Sequence, residues 1–273
     1  MKPKAQYAIE KEIREIEKIE RKMEKAALRD KDSIIIDAIE NKIPIKLREG
    51  INSAFFKAFD IVLDKGHYII EKSIDKKQLV QDQNIRNYAL KVKKGRKEWR
   101  KIHKSALRSD LVNMTISTVE GIGLGLLGIG LPDIVLFLSS ILRGVYEIAL
   151  NYGFEYESRK EQLFILRIME ASLSKNEAWR ERNRSIDQMF DGEETEITQE
   201  MFAKQLRATA DAFAMDMLIL KFIQGLPVVG VIGGAANPFY YKKVCDYAKL
   251  KYRQRHFKRH LASEANTGII NLQ

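Results

Sequence analysis

Cysteine, proline and strand-like periodicity are all scarce in this 273-residue chain, and each scarcity removes a class of protein. The lone Cys245 leaves no disulfide framework within the chain and fits a reducing compartment. Five prolines and no evenly spaced short strands argue against a sandwich or barrel and for helices. Straight membrane spans are missing too. Glu120, Asp133 and Arg143 interrupt the first greasy region before it reaches the roughly 18 residues a crossing needs, and Pro227 and Pro238 break the second. The N-terminal MKPKAQYAIEKEIREIEK has no apolar core of signal-peptide type, so the expected location is cytoplasmic. No GxxxxGK[ST] loop is present, which excludes a P-loop NTPase.

What is present is 45% hydrophobic and 31% charged, the balance of a folded chain. Two glycine-rich apolar segments stand out. The first runs from Gly121 through Gly125, Leu126 and Pro132 into a clean apolar helix. The second is GLPVVGVIGGAANPFYY over 225–241, containing Gly230, Gly234 and Asn237. Gly121/Gly125 and Gly230/Gly234 are each four apart, a small-xxx-small pattern that lets helices approach closely, so the two segments are expected to pack on each other.

Positive charge collects beside them. Residues 91–108 hold nine Lys/Arg against the single acid Glu98, and residues 242–260 hold eight against Asp246. The formal charge of the whole chain is +10, so the remainder is net acidic. An apolar element with a basic flank is the footprint of a surface facing anionic lipid. Lys93, Lys97, Trp99, Arg100, Lys242, Lys243 and Arg253 are accordingly expected to touch lipid or a partner, together with the glycines, Leu126 and Pro132. Ordinary solvated helix faces and a packed Trp99 are the competing readings.

Along the chain, 4–29 reads as an amphipathic helix with Ile9, Ile13, Ile16, Ile19 and Met23 at three- and four-residue spacing. Pro44 suits the first turn of a helix whose Phe55, Phe56, Phe59 and Val62 read as core and which Gly66 closes. Residues 76–87 read as a polar stretch before one basic helix. Ser158 to Glu161 and Ser174 to Glu177 read as capping boxes. Six acids without a base between 187 and 200 read as a surface loop and a helix start. A long helix follows over 201–224, then a basic helix over 242–260. The expected division is amphipathic helices over 1–40, a helical domain over 41–261 and a loose tail over 262–273. The expected fold is all-α: a single compact multi-helix domain with its two Gly/Pro-interrupted segments packed together.

The candidate chemical motifs dissolve on inspection. Gly123-x-Gly125-x-x-Gly128 matches a dinucleotide fingerprint by letter but lacks the preceding strand, and Pro132 interrupts the would-be helix. His256 and His260 are four apart, yet Arg255, Lys258 and Arg259 oppose a cation, so no metal site is expected. Asp133 and Glu147 share a stripe of one helix but lie about 20 Å apart, too far to act on one bond. With Arg143 and Asn237 they read as a buried polar network. No catalytic constellation and no cofactor are expected.

The blocks over 126–166 (LLGIGLPDIVLFLSSILRGVYEIALNYGFEYESRKEQLFIL) and 226–255 (LPVVGVIGGAANPFYYKKVCDYAKLKYRQR) resemble the two signature blocks of the EcsC family of bacterial proteins. IPIKLREGINSAFFKAFDIVLDKG is similar to that family's N-terminal block. The resemblance extends from about residue 41 to about residue 257. It implies a helical bacterial protein encoded in some genomes beside an ABC-type transporter, with no catalytic residues to carry over. The expectation is peripheral association with the inner membrane, as an accessory to an ABC-type transporter or export process. The alternative is a soluble helical module that holds a lipid or other apolar ligand between the Gly-rich segments. Nucleic-acid binding ranks last, since the basic helices lack aromatic interleaving beyond Trp99.

Overall fold

A computed structural model describes residues 4–28, 39–64, 74–106, 131–191, 196–224 and 236–266. Every regular element among them is a helix, as the composition predicts. In chain order these are α1 (Lys4–Leu28), α2 (Ile45–Asp64), α3 (Lys76–Lys93), α4 (96–106), α5 (Leu131–Asn151), α6 (Arg159–Leu173), α7 (Asn176–Asp191), α8 (Gln199–Gln224) and α9 (Ala236–Asn266). Residues 121–130 and 225–235 of the two glycine-rich segments, including Gly121, Gly125, Leu126, Gly230 and Gly234, lie outside the described residues, as do Gly66 and the tail beyond 266.

The apolar helix α5 is the axis of the packing, lying against α2, α3 and α9. Pro132 and Asp133 occupy its first turn, where a missing N–H costs nothing and a carboxylate suits the helix dipole. Almost every residue from Ile141 to Asn151 is buried, Arg143 excepted. The second layer is α6, buried on nearly every face between α8, α9 and α7. α8 closes the arrangement against both α2 and α6, and α1 crosses α7 and α9. Phe55 and Phe59 of α2, Phe137 of α5, Phe213 of α8 and Tyr240 of α9 form one aromatic cluster, with ring centroids 5.6–6.4 Å apart where they meet. The helices form one compact domain.

Several local expectations change. In α1 the buried face carries Ala8, Glu12 and Ile16, whereas Ile13 is exposed. The polar Glu12 displaces Ile13 from the interior because it finds partners there, described below. Phe56 lies at the edge of the core, under the Arg207 guanidinium. The basic run is not one helix. Lys94 adopts the left-handed conformation (φ 42°), its N–H bonds to Leu90 O at 2.9 Å, and α3 stops before α4 begins. Asp75 starts α3 by accepting from the Gln78 N–H, so much of the supposed polar stretch is helix.

Ser158 caps α6 by accepting from the Glu161 N–H at 3.1 Å. The Glu161 carboxylate accepts from the Tyr252 hydroxyl and the Arg255 guanidinium of α9. Ser174 ends α6, donating to Glu170 O, and Glu177 pairs with Arg180, so the second capping box does not form as drawn. Two segments expected to be loose are helical: α7 runs on to Asp191 and α9 to Asn266.

Where α5 meets α9, Gly144 faces Tyr241 so closely that an added Cβ would lie 2.3 Å from the phenol oxygen. Gly50, in α2, has open space at the same position. Gly144→Ala is therefore expected to destabilise the fold by about 1–3 kcal/mol through overpacking against a buried ring. Gly50→Ala is expected to stabilise it by about 0.5–1 kcal/mol through helix propensity. Urea unfolding of both variants checks the opposite signs; equal effects would contradict this packing.

Candidate functional site

The second basic run is largely paired within the molecule. On α9, Lys251 is fully buried and its ammonium donates to Asp187 of α7 at 2.7 Å and to Glu20 of α1 at 3.2 Å. Arg253 donates through Nε to Glu12 at 2.7 Å. Arg255 holds both oxygens of Glu161 and stacks over Phe154 and Phe164. Lys242 and Lys249 pair with Asp246, and Lys243 faces Asp216 at 3.8 Å. A helix that reads as a basic surface is, for most of its length, a row of ion pairs, enclosed at Lys251 and partly exposed elsewhere. Lys243 and Arg253, expected as contacts, are occupied this way. Lys242 is exposed but shared with Asp246.

Beside Arg253 lies a relay of hydrogen bonds. His103 on α4 donates through Nε2 to Glu12 Oε1 at 2.8 Å, and its Nδ1 accepts from the Tyr152 hydroxyl at 3.1 Å. Burial alone would raise the Glu12 pKa, but the hydrogen bonds and charges of His103 and Arg253 outweigh it and lower it to about 2. Burial pushes His103 down, so a neutral imidazole bridges the two groups, and burial pushes the Tyr152 phenol up. A Tyr–His–Glu relay invites comparison with a catalytic triad. Here the phenol is held as a buried, protonated donor, and the relay clasps α1, α4 and the end of α5, with Arg253 adding α9.

Trp99 is at the centre of the same region, only 2% exposed. Its indole meets His103, His256, Phe257 and His260 at centroid distances of 5.2–6.3 Å. The expectation that it faces lipid or a partner is overturned by this packing. His256 and His260 thus line a Trp edge, and no group of three or more His, Cys, Asp or Glu side chains suited to a metal ion occurs among the described residues.

The first basic run behaves differently. At 100° per residue, α4 turns Trp99, Ile102, His103 and Ala106 inward and Lys97, Arg100, Lys101 and Lys104 outward. All four outward cations are exposed, and among the described residues none has a carboxylate partner. Lys93, ending α3, is exposed as well. On α3 itself Ile85, Tyr88 and Val92 are 67%, 71% and 62% exposed and share one face by their three- and four-residue spacing. That apolar stripe escaped the sequence reading. Its spacing was visible, but the same helix also carries Leu79, Val80 and Leu90, and pattern alone does not tell which set faces inward.

Of the residues expected in a polar network, Arg143 and Glu147 meet on α5. Arg143 Nε donates to Glu147 at 3.3 Å. Asn151 Nδ2 donates to Glu147 O, while its Oδ1 accepts from Ser105 and Arg86, three members not foreseen. Asp133 stands half-buried in the first turn of α5. Asn237 belongs to the first turn of α9, and its side chain is outside the described ones.

The model of the EcsC protein family matches residues 10–257, from the middle of α1 to the far half of α9. The chain belongs to the EcsC protein family. Protein EcsC of Bacillus subtilis (strain 168) is 27% identical over 125 residues, or 45% of this chain and 50% of that relative. The match therefore spans about half the length of the curated relative. No solved structure matches the chain. Among the described residues no helix is long and apolar enough to cross a membrane.

The buried clasp generates a pH dependence for this EcsC-family chain. Burial, Arg259 and the neighbouring histidines lower the His256 pKa from 6.5 to about 3, and His103 and His260 are held low in the same direction by burial. Unfolding lets these imidazoles take up protons near pH 6.5, so stability is expected to fall as pH drops from about 6.5 toward 3, by up to about 1.4 kcal/mol per unit and proton. The Glu12 contribution is complete above pH 4.5 and is lost as pH falls through about 2. Urea midpoints measured against pH should show the first limb reduced in His256→Asn; an unchanged limb would contradict the burial of a neutral His256.

Proposed function

We propose that this protein works as a peripheral membrane-associated module, seating the outer faces of α3 and α4 on an anionic lipid surface. The observation that carries this reading is the row Lys97, Arg100, Lys101 and Lys104, exposed and free of carboxylate partners among the described residues. Three features support it. The preceding helix presents the apolar stripe Ile85, Tyr88 and Val92, long enough to reach into the interfacial layer but too short to span it. In sequence, α4 leads directly toward the glycine-rich apolar stretch. The cations of α9 are mostly engaged internally, so the positive surface is concentrated on one helix pair. An isolated amphipathic stripe is weak, and two signals, apolar and electrostatic, are what make peripheral binding persist.

The seat would be the cytoplasmic face of the inner membrane. There the module would assist an integral ABC-type transporter, a role supported by the family resemblance and by no contact described above. The alternative, an apolar ligand held between the glycine-rich segments, concerns residues outside the described ones.

Flotation with vesicles tests the reading. Anionic vesicles should carry the protein upward at low salt and release it at high salt, with neutral phosphatidylcholine vesicles binding little. Each basic residue near such a surface contributes about 1 kcal/mol. Changing Lys97, Arg100, Lys101 and Lys104 together to Glu should therefore weaken binding by at least about a thousandfold while leaving the thermal midpoint nearly unchanged, since all four are exposed. Undiminished flotation of that variant would remove the reading's main support.

A further inference from the structure

Between α3, the turn at Gly153 and the C-terminal half of α9 lies a cavity of about 320 Å³. Gln83, Asn87, Lys91, Gly153, Arg259 and His260 supply most of its wall, and no carboxylate lines it. Lys91 and Arg259 give it two positive charges. Burial holds the His256 and His260 imidazoles below their usual range, so the charge comes from those two side chains. Arg259 spends one N–H on Gly153 O at 2.9 Å and another on Tyr152 O at 3.0 Å, leaving others of its five donors for a guest.

Gln83 is 3% exposed, and its amide nitrogen Nε2 has no hydrogen-bond partner. That nitrogen lies against Gly153, where an added Cβ would come within 2.5 Å of it and the backbone is left-handed (φ 77°). A buried donor without an acceptor is destabilising, and a native chain keeps one where something else supplies the acceptor. Nε2 itself is packed against Gly153, but Gln83 lines the cavity, so an oxygen held there is the acceptor that a turn of its amide would meet.

The mouth of the cavity has a matching rim. Asn84, Asn87 and Lys91 face it from α3, and Ile85, Tyr88 and Val92 each follow one residue later, about 100° round the same helix. A cationic, carboxylate-free cavity thus adjoins the apolar stripe assigned to the membrane surface.

We propose that this cavity binds a phosphate group, and that on the membrane the group belongs to a lipid head. Donors reaching in from α3 on one side and α9 on the other suit a tetrahedral oxyanion with oxygens in several directions better than the two coplanar oxygens of a carboxylate. The lipid assignment rests on the docking reading above; the phosphate chemistry stands apart from it.

The test uses the full chain and inorganic phosphate, glycerol phosphate and acetate at matched ionic strength, with thermal unfolding as the readout. Both phosphates should raise the wild-type midpoint and acetate should not. Gln83→Leu and Lys91→Ala should each weaken the phosphate response by about tenfold or more. Gln83→Leu removes an unmet donor at similar volume, so its midpoint without phosphate should equal or exceed that of wild type, which separates lost binding from lost fold. No phosphate shift in wild type, or wild-type shifts in both variants, would overturn the proposal.

Vesicles of phosphatidic acid and of phosphatidylserine at equal charge then distinguish the sources. A wild-type preference for phosphatidic acid that Gln83→Leu abolishes supports the lipid head. Equal binding alongside an intact free-phosphate shift overturns the lipid half and leaves a soluble phosphate as the guest. The α4 charge-reversal variant should lose vesicles but keep the phosphate shift, so failure of docking and failure of the cavity read differently.

Discussion

A long cationic helix cannot enter a protein interior unless each charge meets a partner, and this constraint organises the molecule. Removing an ammonium or guanidinium from water is costly, and leaving it unpaired is costlier still. α9 takes Lys251, Arg253 and Arg255 inward, and each finds carboxylates from another helix: Asp187 and Glu20, Glu12, and Glu161. These pairs dictate where α1, α6 and α7 are placed. They also explain why α1 buries Glu12 and exposes Ile13, against the simple rule that the isoleucine goes inside. Pairs of this kind add little net stability over a well-packed apolar core, but they allow one register of α1 on α9 and penalise its neighbours.

The same constraint separates two basic runs that look alike as strings. In α9 the cations are distributed around a helix covered by α5, α6 and α1, so Lys251 is closed off from water and Lys249, Arg253 and Arg255 are partly so. In α4 the cations recur on one side only, and the other side is Trp99, Ile102, His103 and Ala106 packed against α9 and the end of α5. One helix therefore consumes most of its charge in folding, and the other keeps it on the surface. The histidines around Trp99 are held neutral because burial disfavours the charged imidazolium.

The functional consequence is an asymmetric surface. Positive charge and exposed apolar side chains are consecutive along α3 and α4, next to a cavity that lacks acids. None of this requires a spanning segment, and among the described residues none exists. The Tyr152–His103–Glu12 relay, which has the outline of catalytic machinery, is enclosed and, with Arg253, joins four helices.

Composition and spacing were enough to determine an all-helical protein, with α2, α5 and α8 as apolar helices, α6 capped by Ser158, and Arg143 paired with Glu147, because these depend on contacts within three or four residues of one helix. Which basic helix faces water, that Trp99 is enclosed, that Gly144 rather than a glycine of the rich segments makes the described close approach of α5 to α9, and that Ile85, Tyr88 and Val92 point outward were decided by the tertiary structure alone. Each depends on a partner far away in sequence (Glu12 for Arg253, Tyr241 for Gly144, Phe257 for Trp99), and local periodicity carries no record of which distant surface will arrive to cover a given face.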